Sequence, residues 1–359
     1  MAQLKKIRVV VVDDSALVRS LLSEIINRQA DMVCVGAASD PLVARQMIRE
    51  LDPDVITLDV EMPKMDGIEF LSRLMRLRPM PVLMISTLTQ RGAEVTMRAL
   101  ELGAVDFVAK PQSGLADGFS ALAGQIVGKI RIAASARVRR TAVQPSGTVR
   151  AEIKTHAPPM SMMPLGARAH NKWIFLGAST GGTEAIKEVL THLPADAPGI
   201  LITQHMPTGF TRSFADRLNT LCAMVVKEAE AGERILPGHA YIAPGGRQFS
   251  VERRGSCLFA IVEDAALVNR HMPSVEVLFK SAARAVGKQG IGVMLTGMGG
   301  DGASAMREMK DAGSYNIVQD EASSVVFGMP REAIAHGAAD EILPVTQIAS
   351  ALMTQLTSA

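Results

Sequence analysis

The sequence predicts two α/β units joined by a basic tether, and three features of the chain support this. Apolar runs alternate with amphipathic segments over residues 8–110, the composition changes after about residue 130, and a second alternation begins at Trp173. A chain of 359 residues is also longer than one hydrophobic core usually serves. We therefore expect a doubly wound (βα)5 domain over residues 1–130, a tether over 131–168, and a second α/β domain over 169–359.

The N-terminal unit is predicted from five apolar runs of a length typical of buried strands. They are RVVVVDD, MVCVGAA, DVITLDV, PVLMIS and AVDFVAK. The first intervening segment predicts an amphipathic helix, whose apolar face is formed by Leu17, Leu21, Leu22, Ile25 and Ile26. Asp40 before Pro41 predicts the cap and first turn of the second helix. Strands and helices that alternate in this way form a parallel sheet with helices on both faces.

The segment between the two units has the composition of a linker. From Arg131 to Lys172 it has eight basic residues and one acidic residue, Glu152, and it shows no helix or strand periodicity. A basic tether could also contact nucleic acid or a membrane surface. The segment contains no aromatic residues of the kind that interleave with basic ones in nucleic-acid-binding stretches, so a solvated tether is the favoured interpretation.

Composition and charge argue against several classes of protein. The formal net charge of +2 gives no global field for nucleic acid or an acidic partner. Cys34, Cys222 and Cys257 form no CxxC motif, which favours free thiols in a reducing compartment. The N-terminal apolar run stops at two aspartates, and no stretch approaches the roughly 20 apolar residues of a membrane helix. We expect a cytoplasmic monomer with no nucleic-acid partner and no membrane insertion.

The C-terminal unit is predicted to be a second α/β domain. The strands expected there are WIFLGAS, GILITQH, IGVMLTG and NIVQD, each followed by a helical segment. The stretch FSVERRGSCLFAIVE differs, because it predicts two strands that turn at Arg254 and Gly255. We expect a mainly parallel sheet with an antiparallel hairpin.

Polar side chains follow four of the five predicted N-terminal strands. In chain order they are Asp13 and Asp14, Asp59, Ser86, and Lys110. The carboxyl ends of parallel strands meet at one edge, where three carboxylates would repel one another unless a hard cation such as Mg²⁺ bound them. A lysine and a hydroxyl nearby would bind a phosphoryl group, so in-line transfer to one carboxylate fits the set. Strand-end aspartates also cap helices, an alternative that weakens when five such groups occur together.

The motifs VVDDS, ITLDVEMPKMDGIEF and VAKP resemble a response-regulator receiver domain, over residues 1 to about 125. The resemblance implies that Asp59 is the phosphoacceptor and that Asp13, Asp14 and Asp59 bind Mg²⁺. It also implies that Ser86 and Lys110 sense the phosphate. Thr87 adjoins Ser86, so the position of the sensing hydroxyl is open by one residue.

The segment GASTG, residues 177–181, places Ser179 between small residues, after a predicted strand and before a predicted helix. This G-x-S-x-G pattern is typical of a nucleophilic serine held at a sharp turn. The amides of the first helical turn would offer positive potential to a developing oxyanion. A serine that only caps the helix is one alternative. A phosphate-binding turn is another, although the G-x-G-x-x-G spacing and a P-loop lysine are missing.

A nucleophilic serine needs a base and a carboxylate that orients the base. Of the seven histidines, only His205 directly follows a predicted strand, and His271 in the loop NRHMPS is the second candidate. Asp301 lies among glycines after the strand IGVMLTG, and Asp320 at the end of NIVQD is its competitor. The chain order Ser, His, Asp differs from that of α/β-hydrolases, so any triad here has a different connectivity.

Six further motifs extend over the C-terminal unit. They are GASTGGTEAI, QHMPTGFTRSFADRLN, LPGHAYIAPGG, NRHMPSVEVLF, LTGMGGDG and VFGMPREAI. Together they resemble the catalytic domain of the CheB family of chemotaxis protein-glutamate methylesterases. The resemblance implies Ser179 as nucleophile, His205 as base and Asp301 as its orienting acid. It also implies the backbone amide of Met298 as an oxyanion donor.

What the family resemblance implies for function is specific. It implies a phosphorylation-activated enzyme that hydrolyses glutamate methyl esters on methyl-accepting chemotaxis receptors and deamidates glutamines there. The chemotaxis histidine kinase would donate the phosphoryl group, Mg²⁺ would serve the receiver only, and hydrolysis would need no cofactor. Three rivals stay open: a phospho-switched binding module without activity, a DNA-binding regulator, and a hydrolase of small esters.

Overall fold

The computed structural model of the chain describes residues 5–62, 66–87, 89–111, 115–136 and 171–357. Most of the predicted tether therefore lies outside the described residues. The boundaries predicted for the three segments stay predictions.

Within the described residues, the N-terminal unit alternates five strands and five helices. In chain order they are β1 (Ile7–Val12), α1 (Ala16–Asn27), β2 (Met32–Ala38), α2 (Pro41–Leu51), β3 (Val55–Asp59), α3 (Gly67–Leu77), β4 (Val82–Ser86), α4 (Gln90–Glu101), β5 (Asp106–Ala109) and α5 (Leu115–Ser135). All the strands are parallel, in the spatial order β2-β1-β3-β4-β5. This doubly wound order reverses direction between β1 and β3, and a ligand crevice is expected at their carboxyl ends. The predicted fold of this unit is confirmed.

Two local features of the N-terminal unit differ from the sequence prediction. Leu17 was expected on the buried face of α1, and this is wrong: its side chain is 51% exposed. The buried face of α1 is instead formed by Val18, Leu22, Ile25 and Ile26, which are spaced three to four residues apart. Leu17 lies outside this face and points away from the sheet. Helix α5 also continues to Ser135, past the predicted tether start at 131, because Ile132 is buried and Arg131 pairs with Asp31 at 2.7 Å.

The C-terminal unit is built around a seven-stranded sheet within the described residues. Its elements are β6 (Trp173–Ala178), α6 (Gly182–Thr191), β7 (Ile200–Gln204), α7 (Phe210–Asn219), β8 (Val225–Glu228), β9 (His239–Ile242), β10 (Gln248–Arg254), β11 (Cys257–Glu263), α8 (Val275–Ala285), β12 (Gly290–Met294), α9 (Ala303–Asp311), β13 (Tyr315–Gln319), α10 (Met329–Ala335), β14 (Glu341–Leu343) and α11 (Val345–Thr357). The spatial order is β14-β13-β12-β6-β7-β9-β8, with all neighbours parallel. The chain therefore winds outward in both directions from β6, so the switch point lies beside that strand.

Strands β10 and β11 pair separately as an antiparallel two-stranded sheet, which confirms the predicted hairpin. Its turn includes Gly255, whose φ of +63° is rare for residues with a side chain. Cys34, Cys222 and Cys257 are all free, as expected. Among the helices that the structure describes, none combines the length and apolar character needed to cross a membrane.

The two units pack against each other, with α4 of the first against α6 and α7 of the second. The rings of Phe107 and Phe210 have centroids 4.5 Å apart. Arg217 Nε lies 2.7 Å from Glu101 Oε1. Both rings are buried, so this seam has an apolar centre with an ion pair beside it.

Candidate active site and phosphorylation site

Ser179 and His205 follow adjacent strands at the carboxyl edge of the C-terminal sheet. Ala178 and Gln204, the last residues of β6 and β7, are paired in register. The backbone of Ser179 is fixed from both sides: its N–H donates to Thr296 O at 3.0 Å, and Gln204 Nε2 donates to its carbonyl at 2.9 Å. The nucleophile candidate therefore occupies the switch point of the sheet.

The turn after β6 needs its glycines for close packing. A Cβ atom at position 182 would lie 2.1 Å from Gln204 Oε1, and Gly181 has a φ of +78°. The N-cap of α6 is Gly181, and no side chain caps that helix. The alternative that Ser179 serves as a helix cap therefore fails, and its half-buried hydroxyl is available for another role.

His205 and Asp301 form a buried pair. His205 Nε2 lies 2.8 Å from Asp301 Oδ2, and the two side chains are 8% and 1% exposed. The other ring nitrogen, Nδ1, is buried. Within the part of the chain that the structure describes, this nitrogen has no hydrogen-bond partner. One side of the ring is thus fixed, and the other is free to accept a proton.

Asp301 is held by more donors than His205 alone. Its Oδ1 accepts from Asn269 Nδ2 at 2.8 Å and from Ser274 Oγ at 2.7 Å, and its Oδ2 accepts from the Val275 N–H at 2.7 Å. Burial alone would raise the pKa of Asp301, but the hydrogen bonds from His205, Ser274 and Asn269 lower it to about 2. The carboxylate stays ionised. Its competitor Asp320 accepts instead from the Ser323 N–H and hydroxyl, at the end of β13.

His271, the second candidate base, stacks on His205 with ring centroids 3.6 Å apart and planes 5° apart. Burial lowers the pKa of His271 to about 4, and the neighbouring charges of His205 and Lys129 act in the same direction. Both histidines that the sequence singles out therefore lie at this site.

The predicted oxyanion donor lies in the loop after β12. Gly297 packs on the nucleophile, since a Cβ there would lie 2.8 Å from Ser179 Cβ. The next residue, Met298, is 46% exposed, and its N–H bonds no group among the described residues. Its amide is therefore unpaired among the described residues and directly follows a residue that packs on Ser179.

The aspartates of the N-terminal unit also meet as predicted. Oxygen atoms of Asp13, Asp14 and Asp59 lie within 4.8 Å of one another. Lys110 Nζ lies 2.9 Å from both Asp13 Oδ2 and Asp59 Oδ1. A cleft that includes Asp14 and Glu61 opens beside them. An all-oxygen set of this kind, open to solvent on one side, fits Mg²⁺.

Charge burial governs this aspartate cluster. Burial raises the pKa of Asp59 to about 6; Lys110 opposes the shift and Asp13 adds to it. Burial alone would lower the pKa of Lys110, but the charges of Asp59 and Asp13 outweigh it, and the pKa is raised. The three carboxylates outnumber the one ammonium group of Lys110, so the cluster carries excess negative charge that a cation would offset.

Ser86 is buried and points towards α4. Its Oγ donates to Gly92 O at 3.2 Å and accepts from Thr96 Oγ1 at 2.7 Å. Thr87, the other candidate for the sensing hydroxyl, instead lies 3.3 Å from the hydroxyl of Thr89. Ser86 is the last residue of β4, so it is the hydroxyl that connects this strand end to α4.

Several residues at or beside the candidate active site were not singled out from the sequence. Asn269 and Ser274 were inside the quoted motif NRHMPSVEVLF, and their hydrogen bonds to Asp301 appear only in three dimensions. Gln204 was passed over as a strand residue. Thr180, which donates to Asp106 Oδ2 of the N-terminal unit, carried no sequence signal because the contact joins two domains.

Known families and proteins match both units of the chain. The family model described as CheB methylesterase matches residues 174–352, and that of the response regulator receiver domain matches residues 9–116. Protein-glutamate methylesterase/protein-glutamine glutaminase 1 of Albidiferax ferrireducens is 69% identical, over 99% of this chain and 96% of its own. The corresponding protein 3 of Burkholderia lata is 59% identical, over 99% of this chain and 97% of its own.

A solved structure matches the C-terminal unit. The CheB methylesterase catalytic domain of Thermotoga maritima is 36% identical with a TM-score of 0.50, over 51% of this chain and 98% of its own. The chain therefore belongs to the protein-glutamate methylesterase/protein-glutamine glutaminase family of enzymes, with a receiver domain followed by a CheB methylesterase domain.

Proposed function

We propose that the chain hydrolyses methyl esters of glutamate side chains on chemotaxis receptors with a Ser179–His205–Asp301 triad, and so contributes to adaptation. The observation that carries this is the His205–Asp301 pair at 2.8 Å, with the second ring nitrogen free at the strand end next to Ser179. The names of the relatives give the substrate class. The same site would deamidate glutamine side chains.

The first half of the reaction acylates the enzyme. His205 Nδ1 takes the proton of the Ser179 hydroxyl as its oxygen bonds to the ester carbonyl carbon. The ionised Asp301 stabilises the resulting imidazolium, and the Met298 N–H donates to the oxyanion. The bond to the methoxy group then breaks, and methanol leaves with the proton from His205.

The second half restores the enzyme. Water gives a proton to His205 and attacks the acyl carbon, and the Ser179 oxygen leaves with that proton, releasing a glutamate side chain. With a glutamine substrate the leaving group is ammonia instead of methanol. All proton transfers use groups of this chain, so we propose that hydrolysis needs no metal or organic cofactor.

We propose that phosphorylation of Asp59 by the chemotaxis histidine kinase controls this site. Asp13, Asp14 and Asp59 would hold Mg²⁺, whose charge would neutralise the transferred phosphoryl group. Phosphorylation adds about −1.5 to −2 charges at Asp59. Lys110 and Ser86 are the groups placed to respond, and Ser86 is already hydrogen-bonded to α4.

A continuous set of contacts supports coupling between the two sites. Ser86 bonds Thr96 in α4, and at the end of that helix Glu101 pairs with Arg217 of α7. We propose that the unphosphorylated receiver restrains the methylesterase domain through this interface. Phosphorylation then shifts the population towards a form in which a receptor helix reaches Ser179.

Methanol release from methylated receptor membranes tests the nucleophile. We expect Ser179→Ala to abolish release while Asp59 still accepts phosphate from a small-molecule phosphodonor. Ser350→Ala, which removes an exposed hydroxyl from α11, is the matched control and should behave as wild type. Full activity of Ser179→Ala would overturn the proposed chemistry.

The same assay tests the switch. Asp59→Ala should keep basal methanol release and lose the stimulation that phosphodonor and Mg²⁺ give to wild type. Normal stimulation of this variant would contradict Asp59 as phosphoacceptor and leave the esterase proposal intact.

A further inference from the structure

One tight turn contacts both the acid and the base of the active site. In the 268–271 turn, the His271 N–H donates to Val268 O at 2.8 Å and the Val268 N–H donates to His271 O at 3.1 Å. The two central residues, Asn269 and Arg270, have φ values of +51° and +69°. Consecutive positive φ angles define the two-residue turn that closes an antiparallel pair, and glycine usually occupies them.

The backbone of the turn is therefore held in a conformation that most side chains disfavour. Such strain persists only where the surroundings fix it, and it is concentrated at functional sites. Asparagine tolerates the left-handed region better than most residues, which suits position 269. Arg270 has no such advantage and is exposed. The turn thus has a shape that its own sequence does not favour.

Two residues of the 268–271 turn contact the catalytic pair. Asn269 Nδ2 donates to Asp301 Oδ1 at 2.8 Å, on the carboxylate oxygen that His205 does not use. Two residues later, the ring of His271 lies parallel to the ring of His205 at 3.6 Å. The first contact adds to those of Ser274 and Val275 in fixing the rotation of the carboxylate, and the second fixes the plane of the imidazole.

His271 is suited to support the ring of His205 by stacking and is not suited to act as a second base. Its ring nitrogens bond no group among the described residues. Burial and the charges of His205 and Lys129 lower its pKa to about 4, although the charge of Asp301 acts in the opposite direction. The charged or titratable groups that face it are His205, Asp301 and Lys129. A neutral ring is the one that can stay stacked when His205 becomes an imidazolium, because a second cation there would repel it.

We propose that the 268–271 turn positions the triad, with Asn269 helping to orient Asp301 and His271 fixing the plane of the His205 ring. This inference rests on the proposed function, because it assigns positioning residues to that reaction. Neither residue touches the reacting atoms, so their loss should lower kcat and leave substrate binding nearly unchanged. Misplacing a catalytic group by about 1 Å can cost about a hundredfold in rate.

The stacking contact is tested with two substitutions of the same residue. His271→Ala removes the ring, and we expect kcat for methanol release to fall by about tenfold to a hundredfold with KM changed less than about twofold. His271→Phe keeps a flat, uncharged ring and should recover most of that loss. His192→Ala, which removes an exposed histidine at the end of α6, is the control and should match wild type.

The hydrogen bond is tested with Asn269→Gly. Glycine adopts the positive φ freely, so this variant keeps the turn and deletes only the amide that reaches Asp301. We expect a lower kcat with an unchanged KM. Thermal unfolding of each variant establishes that the measured protein is folded, and the His271→Phe and Asn269→Gly variants keep the inference testable if His271→Ala does not fold.

The outcomes separate the two proposals. If Ser179→Ala retains activity, the proposed triad fails whatever the turn variants do. If Ser179→Ala is inactive while His271→Ala and Asn269→Gly both keep the wild-type kcat, the triad stands and the positioning role is overturned. A rise in KM alone, or a failure of His271→Phe to recover rate in folded protein, would also overturn it.

Discussion

The hydroxyl of Thr180 donates a hydrogen bond to Oδ2 of Asp106, a residue 74 positions away in the receiver domain. The other oxygen of that carboxylate lies 2.7 Å from Lys129 Nζ. Thr180 directly follows Ser179, so the receiver holds the residue next to the proposed nucleophile. Both partners of the bond are buried.

Weakening the interface should raise basal activity. Thr180→Val deletes the buried bond to the Asp106 carboxylate, and Arg217→Ala removes the ion pair with Glu101 far from the chemistry. Losing a hydrogen bond to a charged group costs about 1.5–3 kcal/mol, enough to favour a separated form by about tenfold or more. We expect methanol release without phosphodonor to increase and the stimulation ratio to fall.

The control for that experiment is Arg73→Ala, which removes an exposed ion pair with Glu69 within α3. It should leave both rates unchanged. Wild-type basal rates in both interface variants would contradict a restraining role for this contact.

Removing the charge of Asp301 should nearly abolish turnover. Asp301→Asn keeps the size of the side chain but loses the ion that stabilises a protonated His205. We expect kcat to fall by about a thousandfold or more. Asp320→Asn, at the competing aspartate, should keep near-wild-type kcat. Equal losses in the two variants would refute the assignment of Asp301.

Gly297→Ala should displace the nucleophile. The added Cβ would lie 2.8 Å from Ser179 Cβ and 2.3 Å from Met329 Sδ, closer than real contacts allow. We expect a loss of kcat and of thermal stability together. Gly124→Ala in α5 is the control: no atom lies within 4 Å of its Cβ, and the helix should gain about 0.5–1 kcal/mol. An unaltered kcat for Gly297→Ala would contradict this prediction, because it would show that the loop after β12 can move to accommodate the added methyl group without displacing Ser179.

The raised pKa of Asp59 predicts an unusual pH dependence of stability without Mg²⁺. The folded chain binds a proton at Asp59 up to about pH 6, whereas the unfolded chain releases it near its usual value of 3.8. Stability from this group is therefore greatest below that lower value and is lost as the pH rises through 6, on the order of 3 kcal/mol in total.

Thermal unfolding with a chelator present measures this effect. Asp59→Asn should be more stable than wild type at pH 7, and the difference should shrink towards pH 4. Added Mg²⁺ should stabilise wild type and leave the variant unchanged. The control Glu94→Gln removes an exposed carboxylate from α4, outside the aspartate cluster, and should not stabilise the chain. If Asp59→Asn is no more stable than wild type at pH 7, the buried charge of Asp59 does not lower the free energy of unfolding as predicted.

The polar residues at strand ends were the features that the sequence predicted best. Parallel sheets bring their carboxyl ends together, so positions such as Asp59 and His205 could be assigned to sites from chain order alone. Short strands were missed, because β8 and β14 have only four and three residues and show no usable periodicity.

Contacts between distant segments could not be predicted. The Asn269–Asp301 bond depends on a turn whose two central residues carry no glycine signal. The Leu17 error arose because an apolar residue at the edge of a helical stripe can face either side. Sequence pattern assigns a residue to an element, and packing decides its partner.

Separating the two domains would bring the buried rings of Phe107 and Phe210 into water. Wet aromatic surface favours self-association, so an activated population should be less soluble at high concentration than a resting one. Prolonged stimulation would then increase aggregation. A bound receptor helix that covered the same apolar surface would reduce it.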